Sequence, residues 1–195
     1  MPLSHQFLLM TTLTLLSCSQ SLEHVNRSES EDRAVIAVVL QDFGLWKEAT
    51  FGDLDGVLIL DPVSYTGWIP QAPEINEVSE EVQNLLPHLS ERISNELAVA
   101  WIERNKVATP VAELIADSPW ARIRTSKEED VAWWQLPPGA KARGQLTLPG
   151  YSIGGSYALV TLHHSWSIHS AFVTYVLSKN EGRWEIVARD QTVYL

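Results

Sequence analysis

The chain has 195 residues, 45% of them hydrophobic, and a formal net charge of −10. That length and apolar content suit one domain with a substantial core and exclude a disordered chain. The acidic balance argues against nucleic acid, whose phosphates it repels, and against electrostatic docking on anionic lipid headgroups.

The first seventeen residues contain no Asp, Glu, Lys or Arg, and Phe7 to Leu16 is a weakly polar to apolar run of ten residues. A membrane-spanning helix needs roughly 20 apolar residues; ten is the length of a signal-peptide core. Only the α-amino group and His5 can carry positive charge ahead of this core. Leu15-Leu16-Ser17-Cys18 resembles a bacterial lipobox, in which the cysteine becomes the lipid-bearing first residue of the mature protein. Small Ser17 stands at −1, and Leu15 at −3 breaks the small-residue rule of ordinary cleavage. The reading is a signal peptide over residues 1–17 and a lipidated Cys18, held stably because more than one acyl chain is attached. Ser19, being other than Asp, points by resemblance to enteric lipoproteins to the outer membrane, facing the periplasm. Ordinary secretion and an uncleaved N-terminal helix are the competing readings. Cys18 is the only cysteine, which leaves no intramolecular disulfide and no cysteine-based zinc site.

Residues 18–30 read as a polar tether. Ser28 and Glu31 have capping-box spacing, and a helix is expected over residues 31–46 with Val35, Val38, Val39, Phe43 and Trp46 on one face, interrupted by Asp42. Gly56 to Leu60 reads as a buried strand and residues 62–73 as a loop. Residues 74–105 carry a helical period that Pro87 divides into two helices, with Ser90 capping the second. Residues 120–125 alternate as a strand. Ser126 and Glu129 predict a capping box and a short helix through Trp134. Leu146 to Tyr151 is a brief extended segment. Tyr157 to His164, Ala171 to Lys179 and Trp184 to Leu195 read as three antiparallel strands, and Asn180-Glu181-Gly182-Arg183 carries a hairpin glycine. The fold class is α+β: one domain over residues 31–195, with N-terminal helices packed on one face of an antiparallel sheet that ends in a three-stranded meander.

Ala158-Leu-Val-Thr-Leu and Val176-Leu-Ser-Lys-Asn-Glu-Gly-Arg-Trp-Glu-Ile-Val resemble the C-termini of a group of uncharacterised bacterial secreted and lipid-anchored proteins. Trp134-Gln-Leu-Pro-Pro-Gly and Gly150-Tyr-Ser-Ile-Gly fit the same group. The resemblance covers about the last sixty residues well. It implies architecture and an address, and it carries over no catalytic residue. The chain departs from the group at His163-His-Ser-Trp-Ser-Ile-His169, where many members have a cysteine- and glycine-rich hairpin tip.

Those histidines are the strongest local candidate for chemistry. A four-residue loop over Ser165 to Ile168 would make His164 and His169 direct cross-strand neighbours, with Cβ atoms about 5 Å apart, and would turn His163 to the opposite face. Two imidazoles at that spacing can share zinc or copper. The bland reading is a polar hairpin tip with exposed histidines. Among the carboxylates, Asp53, Asp55 and Asp61 flank the first strand and Asp190 lies on the last, with nothing fixing their separations. Gly154-Gly155-Ser156 is not a nucleophile-elbow motif. Of the eight tryptophans, Trp68, Trp133, Trp134 and Trp166 lie in or beside polar segments and could meet a glycan or a partner protein. Trp46, Trp101, Trp120 and Trp184 read as core, and burial competes as the reading for all eight.

The sequence therefore reads as a lipid-anchored cell-envelope protein that binds or scaffolds without catalysing, with the membrane as a partner through its anchor and no cofactor. The alternative is a periplasmic metal-binding protein or metal-dependent hydrolase using His164 and His169. A third reading, a cytosolic enzyme with an incidental apolar start, requires Cys18 to stay unmodified.

Overall fold

Helix α1 spans residues 29–47 of the computed structural model, which describes residues 29–47, 56–66, 75–128, 135–166 and 169–194. Cys18, Trp68, Trp133 and Trp134 lie outside the described residues. The helix buries Val35, Ile36, Val39, Leu40 and Phe43, the three-and-four spacing of a helix with one apolar face. Asp42, which interrupts that face, accepts a hydrogen bond at 2.6 Å from the Arg189 guanidinium on the last strand. The charge in the stripe is thus a tie to the sheet.

The strands are β1 (Val57–Leu60), β2 (Ala121–Ile123), β3 (Ala140–Leu146), β4 (Gly150–Tyr151), β5 (Tyr157–Trp166), β6 (His169–Asn180) and β7 (Arg183–Tyr194). They form one seven-stranded sheet in the order β2-β1-β3-β5-β6-β7, with β4 paired to β5. Between β1 and β2 the chain forms α2 (Ile75–Leu85), α3 (Glu91–Arg104) and the single turn α4 (Ala112–Ile115). Ser90 caps α3, its hydroxyl accepting from Ile93 N at 3.4 Å. No helix among the described residues is long and apolar enough to cross a membrane.

The α+β class and the antiparallel β5-β6-β7 meander agree with the sequence reading. Two features differ. The sheet is mixed, because β1 runs parallel to both β2 and β3. A parallel neighbour needs a long crossover, which α2 to α4 supply. Helices also cover both faces instead of one. Ala158, Val160, Leu162, Val173, Tyr175 and Leu177 share a core with α1. Leu159 and Val176, of the opposite parity, share a second core with Val82, Leu97 and Ile102 of α2 and α3. Runs such as Ala158-Leu-Val and Val176-Leu are apolar at successive positions because both sides of the strand are buried.

Smaller departures have local causes. The capping box falls one residue earlier than expected. Thr125 N donates to Glu128 Oε2 at 2.8 Å, and Ser126–Glu128 is a 3₁₀ turn. Strand β3 lies ahead of the extended segment foreseen over Leu146 to Tyr151 and shares only Leu146 with it, its inward positions being the small Ala142 and Gly144 and then Leu146. The β6-β7 hairpin turns through Glu181 and Gly182, both at positive φ (48° and 80°), the pair of values a two-residue I′ turn demands. Opposite β6, the register jumps from Val176↔Ala188 to Leu177↔Ile186, leaving Val187 as a bulge on the edge strand.

Three elements meet at the start of α1. The Asp32 side chain accepts two hydrogen bonds from Arg104 of α3, at 2.8 and 2.6 Å, and one from the Tyr151 hydroxyl of β4 at 2.8 Å. Arg104 also donates to Pro149 O at 2.6 Å. Burial, reinforced by the Asp32 carboxylate, pushes the Tyr151 phenol well above its ordinary value, so it remains a donor. One residue earlier, Glu31 accepts from Lys179 Nζ at 2.5 Å and from Trp184 Nε1 at 2.7 Å. Gly150 lets β4 lie directly on α3, since a Cβ there would sit 2.4 Å from Trp101 N. Asp32→Ala would strand the Arg104 charge in a mostly buried setting. We expect it to lower the free energy of unfolding in urea by about 3 kcal/mol; a loss under about 1 kcal/mol would show that this joint is dispensable.

Candidate functional site

The register of β5 and β6 places the three histidines. The strands pair without a break up to Trp166↔His169, so His164 lies opposite Ala171 and His163 opposite Phe172. The four-residue loop expected over Ser165 to Ile168 is replaced by two more strand residues. The Trp166 ring explains this extension: it stacks on His164 at 5.0 Å and meets Trp46 of α1 at 6.3 Å. His164 and His169 are therefore diagonal neighbours on the α1 face, and His163 points to the other face as foreseen.

His164 is 0% exposed, which overturns the reading of an exposed hairpin tip. Its ring sits edge-on to Phe43 at 4.9 Å and tilted against Trp46 at 5.6 Å. Neither of its nitrogens has a hydrogen-bond partner among the described residues, and the same holds for His169 Nδ1. Lys47, at the end of α1 and only 4% exposed, places its ammonium 4.0 Å from the Trp166 centroid and 4.9 Å from that of Trp46. Burial pulls Lys47 down to about 8. Burial first, then the Lys47 charge and His163, pull His164 down to about 3, so its imidazole is neutral at pH 7.

Unpartnered imidazole nitrogens are the donors a metal takes. A cation entering this box would meet the Lys47 ammonium, and no group of three or more His, Cys, Asp or Glu side chains among the described residues has the arrangement of a metal site. Trp166, foreseen as a contact for a glycan or protein, is half-buried and engaged in the box.

On the opposite face a row of side chains crosses five strands. Arg124, just past β2, pairs with Asp61 at 3.3 Å. Asp61, just past β1, accepts from Gln145 Nε2 of β3 at 2.6 Å. Gln145 lies opposite His163 of β5, which stacks on Phe172 of β6 at 4.3 Å. Tyr65 covers the same end, 5.8 Å from His163 and 6.2 Å from Phe172. The loop holding Tyr65 is fixed by its own N–H, which donates to Leu146 O at 2.9 Å. Burial lowers the His163 pKa, and the Asp61 carboxylate opposes that shift. Asp61 and Arg124 keep about a quarter of their side-chain surface in solvent. The row offers a carboxylate, a guanidinium, an amide, an imidazole and aromatic edges along one line, the mix of polar and aromatic groups that binding surfaces use.

The sequence named Asp61 and the orientation of His163 without joining them. It passed over Lys47, Tyr65, Arg124 and Gln145. The alternation Lys141, Arg143, Gln145 between small residues was the one signal of a polar strand face there. No family model, curated protein or solved structure matches this chain.

Two outcomes test this geometry. The native protein excludes from His164 a proton that the unfolded chain accepts near pH 6.5. That exclusion costs nothing above pH 6.5 and costs progressively more as pH falls toward 3, by about 1.4 kcal/mol per unit. Urea titrations from pH 7 to 4.5 should show this slope in the wild type and lack that part of it in His164→Phe. On the other face, Asp61→Asn removes the charge that raises the His163 pKa, so NMR titration should find it lower than in the wild type; an unchanged value would separate the two residues.

Proposed function

We propose that this protein is a lipid-anchored component of a bacterial cell envelope, held at Cys18 and facing the periplasm from the outer membrane. Its role in this reading is binding or scaffolding, and catalysis is not required of it. The observation that carries the reading is the way α1 begins. Residue 29, the first described residue of α1, stands eleven positions after Cys18 in sequence, and close to it Glu31 and Asp32 tie the helix to Lys179, Trp184, Arg104 and Tyr151. A domain suspended from its N-terminus feels any pull at that turn, and ties to three strands and a second helix spread it into the sheet.

The surface that supports binding is the row Arg124–Asp61–Gln145–His163–Phe172 with Tyr65. Asp61 already ties Arg124 and Gln145 together, so a partner would be met by a preorganised polar line instead of a reactive group in waiting. An envelope protein or a glycan fits such a line. The acidic chain argues against nucleic acid.

The mass of the N-terminal peptide from the native host tests the address. A diacylated or triacylated fragment beginning at Cys18 is expected. A peptide retaining Met1 or Pro2, recovered from the soluble fraction, would remove the anchor and return Cys18 to an ordinary thiol.

A further inference from the structure

Ile153 is 87% exposed, at the tip of the loop between β4 and β5. The loop is firmly built. Ser152 N donates to Tyr157 O at 3.1 Å, Tyr157 N to Ser152 Oγ at 3.2 Å, and Gly155 N to Ser152 O at 2.8 Å. Ile153 N itself donates to Glu96 Oε2 of α3 at 3.0 Å, and Lys179 N of β6 donates to Ser156 O at 2.8 Å. Gly155 takes φ +66°, which favours glycine. Fixing an apolar side chain in water gains nothing for the fold; fixing it in advance lowers the entropy cost of docking it elsewhere.

Its position names the occupant. Tyr151, two residues before Ile153, bonds Asp32 in the first turn of α1, and Lys179, bound to the far side of the loop, bonds Glu31. The loop therefore lies beside the first described turn of α1, which in sequence follows Cys18 by eleven positions. The eleven intervening steps reach at most about 40 Å when extended. Val99, one turn after Glu96 on α3, is a second exposed apolar side chain on the helix that holds the loop.

We propose that the Ser152–Tyr157 loop is a bilayer contact, in which Ile153 enters the boundary between headgroups and acyl chains beside the anchor. The location rests on the anchored reading given above. The contact is apolar, because a chain of net charge −10 gains nothing from anionic lipid. One isoleucine would not hold a soluble protein at a membrane, but a tether raises the local concentration enough for it to set the orientation of a body already held there. The polar row on the sheet would then keep a fixed attitude to the membrane.

The test uses the full chain with its single thiol, Cys18, coupled to a maleimide phospholipid on vesicles of zwitterionic phosphatidylcholine and phosphatidylethanolamine. Hydrogen exchange at the amides of residues 152–157 should slow about tenfold relative to the uncoupled chain mixed with the same vesicles. Ile153→Ser, coupled in the same way, should return the loop to the uncoupled rate while its near-ultraviolet spectrum stays unchanged. Equal exchange in coupled and uncoupled chains, or protection that survives Ile153→Ser, would overturn the proposal. Protection confined to other segments would do the same. Because the lipid is attached chemically, the result stands whether or not the host acylates Cys18, which the N-terminal peptide mass decides separately.

Discussion

Asp32 is the point on which the arrangement turns. Its carboxylate lies on α1, on one side of the sheet, yet its partners are Arg104 of α3, which packs on the other side, and Tyr151 of the short strand β4. A carboxylate this buried is tolerable only with its acceptor positions filled, and three donors fill them. The same bonds fix where α1 starts, hold β4 against α3 and close the end of the sheet between the two helical layers. Glu31 repeats the device toward the meander. At its far end α1 is held differently, by Phe43 and Trp46 around a neutral imidazole. The helix is thus bolted by charge at one end and wedged by aromatic packing at the other.

Much of this was legible in the chain. The period of α1, the break at Pro87, the Ser90 cap and the Glu181-Gly182 hairpin each follow from a local rule that tertiary contacts did not override. What escaped has a common cause: it depends on which strand lies beside which. Parallel pairing of β1 is invisible in four apolar residues. Strand β3 hid because its inward positions are Ala142 and Gly144, too small to mark a buried face. The alternation of β5 did turn His163 and His164 to opposite faces. It could not say that His164 would be sealed by Trp166 and Lys47, since that needs the end of α1 to lie on the end of β5. The polar row was scattered over five strands, and no window of sequence contains two of its strands together except around the β5-β6 hairpin.

The two faces of the sheet now have distinct characters. Toward α1 the histidine is enclosed, neutral and without hydrogen-bond partners among the described residues, so it acts as an acid-sensitive weakness in the core. Toward the other side the adjacent histidine remains partly in water and near a carboxylate. A single strand therefore presents the same side chain in two electrostatic settings: burial lowers both pKa values, but the Asp61 carboxylate opposes the shift of His163 while the Lys47 charge adds to that of His164.

The bulge at Val187 has a consequence for life in a crowd. Strand β7 is twelve residues long and, among the described residues, forms an edge of the sheet, with Val187 and Val193 exposed along it. A straight edge of that length would template pairing with any neighbouring copy. The extra residue breaks the regular spacing of outward N–H and C=O groups near the middle of the strand and increases its twist, so an incoming strand can keep register over only half of it. Where two copies meet edge-on, that single irregular residue is a barrier against strand-to-strand polymerisation.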